Sequence, residues 1–255
     1  MENSRRKFLK IAGISVVGLG VKPVIDAVAS DGTPKYEPKA EALRGERWAM
    51  VVDTRKCKND CTDCIKACHT IHNVPDIKNP KHEVKWLWKE KYGHAFPGME
   101  HEYLDHKVEN RPFMILCNHC DDPACVRVCP TKATFKREDG IVLMDMHRCI
   151  GCRFCMAACP FGARSFNWKD PRPFVKDENE KFPTRMKGVV EKCNFCAERL
   201  AEGLMPACVE ACKEKALIFG DLEDPNSEVR KVLSSNYTIR RKPELGTNPM
   251  VYYIV

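Results

Sequence analysis

Sixteen cysteines arranged in four groups of four constrain this 255-residue chain more than any other feature of its sequence. The groups are Cys57, Cys61, Cys64 and Cys68; Cys117, Cys120, Cys125 and Cys129; Cys149, Cys152, Cys155 and Cys159; and Cys193, Cys196, Cys208 and Cys212. No cysteine lies outside a group. An ordinary soluble domain has several times fewer cysteines, so this arrangement indicates either metal centres or a disulfide framework.

The third group has the spacing C-x2-C-x2-C-x3-C-P, from Cys149 to Pro160. This is the bacterial ferredoxin pattern for [4Fe–4S] clusters. Three cysteines separated by two residues allow one short loop to surround three corners of an iron–sulfur cube. The fourth cysteine, one helical turn further on, points to a neighbouring cube. The spacing therefore predicts a pair of clusters and not an isolated one.

The other three groups vary this pattern but keep its last step. The second reads C-x2-C-x4-C-x3-C-P, the fourth reads C-x2-C-x11-C-x3-C, and the first reads C-x3-C-x2-C-x3-C. A structural zinc site commonly places two C-x2-C pairs on one ion, and four repeats of three close cysteines plus a displaced one do not suit that geometry. We therefore expect four [4Fe–4S] clusters, with a structural zinc or disulfide protein that only binds partners as the alternative.

The first 29 residues resemble an export signal. Ser4–Lys10 reads S-R-R-K-F-L-K, the form of a twin-arginine signal. The apolar stretch Ile11–Val21 follows, and Ala27–Ala29 supplies an A-x-A cleavage site. A basic amphipathic helix or an uncleaved anchor is the alternative. The sequence thus predicts a signal peptide at 1–29, an N-terminal extension at 30–47 and a location on the periplasmic face of the cytoplasmic membrane.

An exported chain with an even number of cysteines usually carries disulfides. The twin-arginine route, however, carries chains that have already folded, usually around a cofactor inserted in the cytoplasm. The predicted leader therefore favours metal clusters over disulfides.

The formal net charge of +7 would by itself favour an anionic partner such as nucleic acid. An oxidised [4Fe–4S] centre with its thiolates carries about two negative charges, so four of them would make the loaded protein negative. We accordingly expect basic residues beside the cysteines to compensate cluster charge, namely Arg127, Lys132, Arg148, Arg153, Arg164 and Lys192. No nucleic-acid partner is expected, and no apolar run approaches the ~20 residues of a membrane-spanning helix.

We also find no nucleotide-binding glycine loop and no nucleophile–base pair, which argues against an independent catalytic site.

The local patterns predict an α+β fold of tandem bacterial-ferredoxin-like two-cluster modules with long loop insertions. Strand-like runs are Trp48–Asp53, Phe113–Leu116, Ala133–Lys136, Ile141–Met144, Ala163–Trp168, Val189–Val190 and Ala216–Phe219. Glu138–Gly140 is a hairpin turn between two of them, and Asn226–Glu228 caps a helix through Leu233. The four-cluster domain spans 48–255, with an inner module at about 112–168, an outer module from about 48–70 and 188–220, and a C-terminal tail at 221–255.

With these motifs in view, the chain resembles the four-cluster iron–sulfur subunits of membrane oxidoreductases, the NrfC, HmcB, polysulfide-reductase and dimethyl-sulfoxide-reductase types. The matching stretches are Cys117–Cys120, Cys129–Thr131, Cys149–Cys152, Ala163–Arg164, Pro206–Cys208 and Glu244–Thr247. The leader and the insertion Trp86–Trp88 look most similar to the iron–sulfur subunits of Hdr-like menaquinol oxidoreductases, the DsrO type.

The resemblance implies an electron relay between a quinone-reactive, NrfD-like membrane subunit and either a multihaem cytochrome c or a molybdopterin subunit. It also implies four ligand sets: Cys57, Cys61 and Cys64 with Cys212; Cys193, Cys196 and Cys208 with Cys68; Cys117, Cys120 and Cys125 with Cys159; and Cys149, Cys152 and Cys155 with Cys129. The first group departs from the family pattern because three residues separate Cys57 from Cys61, and His69 and Lys213 replace the expected prolines.

Three further features leave alternatives open. The apolar end Pro249–Val255 is either a strand packed on the protein's own core or a segment that docks on a partner subunit. A metal site is the alternative for His94, His101 and His106, but their spacings place the three on no common helical face, so we expect solvated loop histidines there. We expect the same of His69, His72 and His82. Trp86 and Trp88 are expected to pack in the core or at an interface.

Overall fold

The computed structural model describes residues 39–255; the predicted signal peptide and residues 30–38 of the extension lie outside the described residues. The strands are β1 (Trp48–Asp53), β2 (Leu87–Glu90), β3 (Phe113–Leu116), β4 (Thr134–Lys136), β5 (Val142–Met144), β6 (Ser165–Phe166), β7 (Val190–Glu191), β8 (Leu217–Asp221), β9 (Thr238–Ile239) and β10 (Val251–Ile254). The α-helices are α1 (Asp63–Ile71), α2 (Tyr92–Ala95), α3 (His106–Glu109), α4 (Ala124–Arg127), α5 (Phe154–Ala157), α6 (Ala197–Leu200), α7 (Ala207–Glu210) and α8 (Glu228–Ser235), and Arg172–Phe174 and Pro243–Leu245 form 3-10 turns. The result is a fold of short mixed elements, in agreement with the predicted α+β class.

A four-stranded sheet joins the two ends of the described chain. Its strand order is β8-β1-β10-β9, with β1 parallel to β10 and antiparallel to β8. All six residues of β1 are buried, as expected for a central strand covered on both faces. Asp221 at the end of β8 accepts hydrogen bonds from the backbone N–H groups of Glu46 and Arg47, so the end of the predicted extension is fixed to this sheet.

The other strands form three two-stranded antiparallel pairs, β2-β3, β4-β5 and β6-β7. The β4-β5 pair confirms the hairpin predicted between the second and third cysteine groups. The strands predicted around the other cysteine groups are also present, although β6 is shorter than the run predicted there and β7 is shifted by one residue. Ser227 caps α8 by accepting from the backbone N–H of Arg230, which confirms the predicted helix start.

Each cysteine group ends on a short helix, and this explains the C-x3-C spacing. Helices α1, α4, α5 and α7 carry the third cysteine of their groups near their first turn. Pro130 and Pro160 directly follow the last cysteines of groups two and three, and proline cannot continue a helix, so α4 and α5 stop after one turn. In group one His69 stands at that place, and α1 continues to Ile71. Lys213 stands at that place in group four, yet α7 ends at Glu210, so the absence of proline permits a longer helix without causing one.

A buried ion pair anchors the insertion that precedes the fourth cysteine group. Arg185 and Glu191 are both buried, with Nη2 2.7 Å from Oε2. Arg185 also donates to the backbone carbonyl of Asn73 at 2.7 Å, and Trp86 donates to Glu191 through Nε1 at 2.7 Å. The pair therefore links both long insertions to the strand that leads into Cys193. Trp86 is buried, as expected, and Trp88 is half-buried.

The C-terminal segment is part of the core. Strand β10 lies between β1 and β9, and Tyr253 is buried with its hydroxyl donating to the carbonyl of Met114 at 3.1 Å. Phe96 packs edge-on against the same ring, with 5.3 Å between centroids. The alternative that Pro249–Val255 is a free docking segment is therefore wrong, because its backbone and side chains are already used inside the protein.

We predict that Tyr253→Ala lowers the free energy of unfolding of the cluster-loaded protein by about 3–5 kcal/mol, since it removes a fully buried aromatic side chain. Tyr237→Ala, at a tyrosine that is 79% exposed, is the matched control and should change stability by less than about 1 kcal/mol. Anaerobic urea unfolding followed by circular dichroism checks both. Equal effects of the two substitutions would contradict the core assignment of β10.

Candidate iron–sulfur cluster sites

Cysteines from both ends of the described chain meet in the first candidate site. We define site 1 as Cys57, Cys61, Cys64 and Cys212, which line one open cleft of about 380 Å³. Burial and the neighbouring thiols raise the pKa of Cys64 to about 12. Cys212 follows α7, so its approach to Cys57 depends on the packing of α7 beside α1.

The extra residue between Cys57 and Cys61 has a structural explanation. The ammonium group of Lys89 on β2 donates to the carbonyls of Lys58 at 2.6 Å and Asn59 at 3.1 Å, and also to the carbonyl of Cys61. The longer loop thus closes around a lysine. The charge of Lys89 also opposes the rise in the pKa of Cys57 that burial causes.

Site 2 is defined as Cys68, Cys193, Cys196 and Cys208, and all four side chains are buried. Burial, followed by the proximity of Cys193, Cys208 and Cys196, raises the pKa of Cys68 well above its ordinary value. Thiols with raised pKa values are protonated at neutral pH, so metal binding here has to displace protons.

Sites 3 and 4 share the region around the β4-β5 hairpin. Site 3 is defined as Cys117, Cys120, Cys125 and Cys159, and burial with the nearby thiols raises the pKa of Cys120 to about 12. Site 4 is defined as Cys129, Cys149, Cys152 and Cys155, which line one open cleft of about 270 Å³. Each of the four sites therefore joins three cysteines of one group to the last cysteine of another.

Backbone N–H groups donate to several of these sulfur atoms. The N–H of Phe195 lies 3.5 Å from Cys193 Sγ, that of Ala207 lies 3.4 Å from Cys196 Sγ, and that of Ala216 lies 3.2 Å from Cys212 Sγ. Such hydrogen bonds stabilise thiolates and tune the reduction potentials of iron–sulfur clusters. Four converging thiols with N–H donors directed at sulfur suit [4Fe–4S] clusters.

The four sites form one linear series. Cys64 of site 1 is a neighbour of Cys208 of site 2, and Cys193 of site 2 is a neighbour of Cys117 of site 3. Cys125 of site 3 is in turn a neighbour of Cys155 of site 4. Site 2 is entirely buried, whereas both ends of the series open to the surface through the clefts described above.

Two of the six predicted charge-compensating residues are buried. Arg164 is 5% exposed and Lys192 is 3% exposed, while Arg127, Lys132, Arg148 and Arg153 lie at the surface. Burial opposes the charge of Arg164, but the nearby Cys125 and Cys155 raise its pKa above the ordinary value. Arg164 therefore remains charged between sites 3 and 4. The surface residues are screened by water and compensate cluster charge less.

Sequence reasoning did not identify His119, which lies between sites 2 and 3. Its ring stacks on that of Phe195, with 3.7 Å between centroids and 15° between planes. Both residues occupy the third position of a C-N-x-C loop, and both have positive φ, 42° and 53°. Burial lowers the pKa of His119 well below its ordinary value, so the ring is neutral. The repeated C-N-x-C motif at Cys117 and Cys193 was the available sequence signal.

His94, His101 and His106 are exposed, as expected, but His94 lies in α2 and His106 begins α3, so only His101 is a loop residue. The expectation of a solvated histidine is wrong for His72, which is 1% exposed. His72 Nε2 lies 2.7 Å from Glu198 Oε1, and its ring stacks on Trp86 with 4.6 Å between centroids. His69 and His82 are half-buried.

The pair His72–Glu198 borders site 2. Donor atoms of His72, Glu198 and Cys196 all lie within 4.8 Å of one another. Burial would raise the pKa of Glu198, but hydrogen bonds from His72 and Asn194 lower it below its ordinary value. Because Cys196 belongs to site 2, His72 and Glu198 lie at the edge of that site.

Comparison with known proteins agrees with this geometry. The family model of the 4Fe-4S dicluster domain matches residues 110–174 and 179–222. The chain is 41% identical, over 98% of its length and 97% of the relative, to the Hdr-like menaquinol oxidoreductase iron-sulfur subunit 1 of Archaeoglobus fulgidus. It is 35% identical to a tetrathionate reductase subunit of Salmonella typhimurium, over 100% of the chain and 89% of the relative. It is 34% identical to the protein NrfC of Escherichia coli, over 98% of the chain and 95% of the relative.

The fold and the cysteine sites define an iron–sulfur protein with [4Fe–4S] clusters. The chain belongs to the family of ferredoxin-like iron–sulfur subunits that includes NrfC and the Hdr-like menaquinol oxidoreductase subunit. The resemblance read from its motifs is therefore confirmed. Within residues 39–255, no helix is both long and apolar enough to cross a membrane.

We predict that Arg164→Met lowers the reduction potential of the cluster bound nearest to it, since a buried positive charge favours the reduced, more negative state. At an effective dielectric constant of about 20 the loss is on the order of 100 mV for one electron. Arg127→Met, at an exposed arginine beside Cys129, is the control and should shift the potential far less. Redox titration monitored by electron paramagnetic resonance measures both, and equal shifts would contradict the role of Arg164.

Proposed function

We propose that this chain is the electron-transfer subunit of a membrane-bound respiratory oxidoreductase, with four [4Fe–4S] clusters and no catalytic site of its own. The observation that carries the proposal is the series of neighbouring sites 1 to 4, in which site 2 is entirely buried and both terminal sites open to the surface. Such a series allows electrons to enter at one surface and leave at another. Bound clusters supply one-electron chemistry, and the chain positions them and sets their charge environment.

The proposed ligand sets are the four sites as defined above. Sites 1 and 2 exchange their last cysteines, Cys212 and Cys68, and sites 3 and 4 exchange Cys159 and Cys129. This exchange supports two tandem ferredoxin-like modules, an inner one around the β4-β5 hairpin and an outer one built from the two ends of the described chain. The neighbouring positions of Cys193 and Cys117 support a junction between the modules at sites 2 and 3.

The proposed partners are a quinone-reactive, NrfD-like membrane subunit and a multihaem cytochrome c, in a complex linked to menaquinol and to sulfate respiration. The relative named as part of a menaquinol oxidoreductase supports the quinol link. A second candidate is electron exchange with a molybdopterin subunit, which is favoured by the relative named as part of a tetrathionate reductase. The S-R-R-K-F-L-K motif supports twin-arginine export to the periplasmic face of the membrane.

The cluster count is tested by iron and acid-labile sulfide analysis. We expect about four iron atoms and four sulfides per cluster, and thus about sixteen of each per chain. A fully loaded preparation with iron for three clusters would contradict the count, and Cys57→Ser would then show whether site 1 is the one that lacks a cluster.

Cross-ligation predicts that Cys129→Ser perturbs the cluster held by Cys149, Cys152 and Cys155, because the last cysteine of group two lines that site. The matched variant Cys159→Ser should instead perturb the cluster held by Cys117, Cys120 and Cys125. Electron paramagnetic resonance of the reduced variants distinguishes the two clusters. Damage confined to the variant's own cysteine group would contradict the proposed pairing.

The function itself is tested on the complex purified from native membranes. Menaquinol should reduce the clusters of this subunit, or reduced clusters should reduce menaquinone, in a reaction that needs the co-purifying subunits. Cofactor analysis of those subunits decides between haem and molybdopterin. Clusters that exchange no electrons with either quinone or a partner cofactor would overturn the proposal.

A further inference from the structure

The surface beside site 4 exposes three large apolar side chains outside the cleft, in addition to Ile150, which lines the cleft and is also exposed. Phe154, Trp168 and Met186 are 60%, 41% and 52% exposed. None of these three residues lines the site 4 cleft, so their exposure is a property of the surface and not of the cluster site. Contiguous exposed apolar groups on a folded protein generally mark an interaction surface.

These side chains come from three segments that are held together. The guanidinium of Arg153 lies over the rings of Trp168 and Phe166, at 4.8 and 5.6 Å from their centroids. Gly151 lies against the carbonyl of Gly188, where a Cβ would come within 2.3 Å, so only glycine allows this approach. The segments around residues 151–154, 166–169 and 186–188 therefore form one surface, which we call the site 4 face.

The site 4 face carries positive charges that are not neutralised. Among the described residues, Arg153, Lys169 and Lys187 take part in no ion pair within 4.0 Å; nearby, Asp145 is paired with Arg148 and Asp170 with Arg172. Cys152, between Gly151 and Arg153, is itself exposed, so site 4 lies directly under this surface.

The opposite end of the series has a different surface. Beside site 1, Lys58 is paired with Glu214, and Lys213 is paired with Asp63 at 3.0 Å. These two lysines are therefore neutralised within the chain. The two ends of the series thus offer different chemistry because, of the described segments that form the two ends, only those at site 4 expose large apolar side chains beside unpaired cations.

We propose that the site 4 face binds a redox-active protein subunit whose own surface has an apolar centre surrounded by acidic residues. The proposal rests on the proposed electron-transfer function. It adds the surface, at the site 4 end of the series, through which the redox-active subunit is bound. Trp168, Phe154 and Met186 fill the centre of the interface, since aromatic residues and methionine are enriched in interface cores. Arg153, Lys169 and Lys187 form the rim and orient the acidic partner.

The first test uses the tagged full-length chain in its native host. Trp168→Asp and Met186→Asp place charge in the apolar centre, and Tyr103→Asp and Tyr237→Asp are controls at aromatic residues that are 84% and 79% exposed elsewhere. We expect all four variants to keep wild-type iron content. The two face variants should lose at least tenfold of one co-purifying subunit that carries haem, molybdopterin or quinone-reactive residues, and the controls should keep it.

The second test covers the case in which an aspartate variant loses iron. Lys169→Glu and Lys187→Glu change only exposed lysines, with Lys169→Gln and Lys187→Gln as matched neutral variants. We expect the glutamate pair to lose more of the partner subunit than the glutamine pair does. Wild-type binding should weaken as salt increases, since exposed charge pairs are screened.

Several outcomes would overturn the proposal. The face variants could retain the redox subunit at wild-type stoichiometry. Protein-free vesicles of anionic lipid could bind the isolated wild-type holoprotein and not the face variants, which would assign the face to a membrane. Loss of a homodimer with no loss of the redox subunit would assign it to a second copy. Menaquinol-linked cluster reduction in the wild-type complex is measured separately, so failure of the proposed function is distinguished from failure of this docking site.

Discussion

The convergence of cysteines from distant parts of the chain is the constraint on which the rest of this structure depends. Site 1 brings Cys212 to a loop that begins at Cys57, and site 2 brings Cys68 to Cys193. The C-x3-C step makes this possible, since one helical turn separates the last two cysteines and directs them to different sites. Metal ligation at such sites contributes to folding, because no preformed site exists in the unfolded chain.

Buried thiolates and clusters bring negative charge into the interior. A few buried cations balance part of this charge. Arg164 lies between sites 3 and 4, and Lys192 donates to the carbonyls of Val142 and Cys193, the latter at 2.7 Å. Lys89 performs a similar role from a half-buried position, because its ammonium group holds the loop before Cys61. A buried charge is costly unless it is paired or hydrogen-bonded. Lys192 and Lys89 satisfy that condition within the chain, whereas Nη2 of Arg164 is buried without a hydrogen-bond partner.

The sequence allowed prediction of features that depend on local spacing, and these include the cysteine groups, the β4-β5 hairpin and most strands. It did not reveal contacts between residues far apart in the chain. The parallel pairing of β1 with β10, the buried hydrogen bond from Trp86 to Glu191 and the His119–Phe195 stack all join residues more than 70 positions apart. His72 was misjudged for the same reason, since its burial depends on Trp86 and Glu198.

The sheet shows why the two ends of the described chain are interdependent. β1 leads into the first cysteine group, and its neighbours β8 and β10 are among the last elements of the chain. Site 1 likewise cannot be completed before Cys212 has been synthesised. The hairpin region around sites 3 and 4 has no such dependence, because its eight cysteines lie between Cys117 and Cys159. The order of synthesis therefore allows sites 3 and 4 to be completed before sites 1 and 2, and this suits a chain that, as we propose, is loaded with clusters before export.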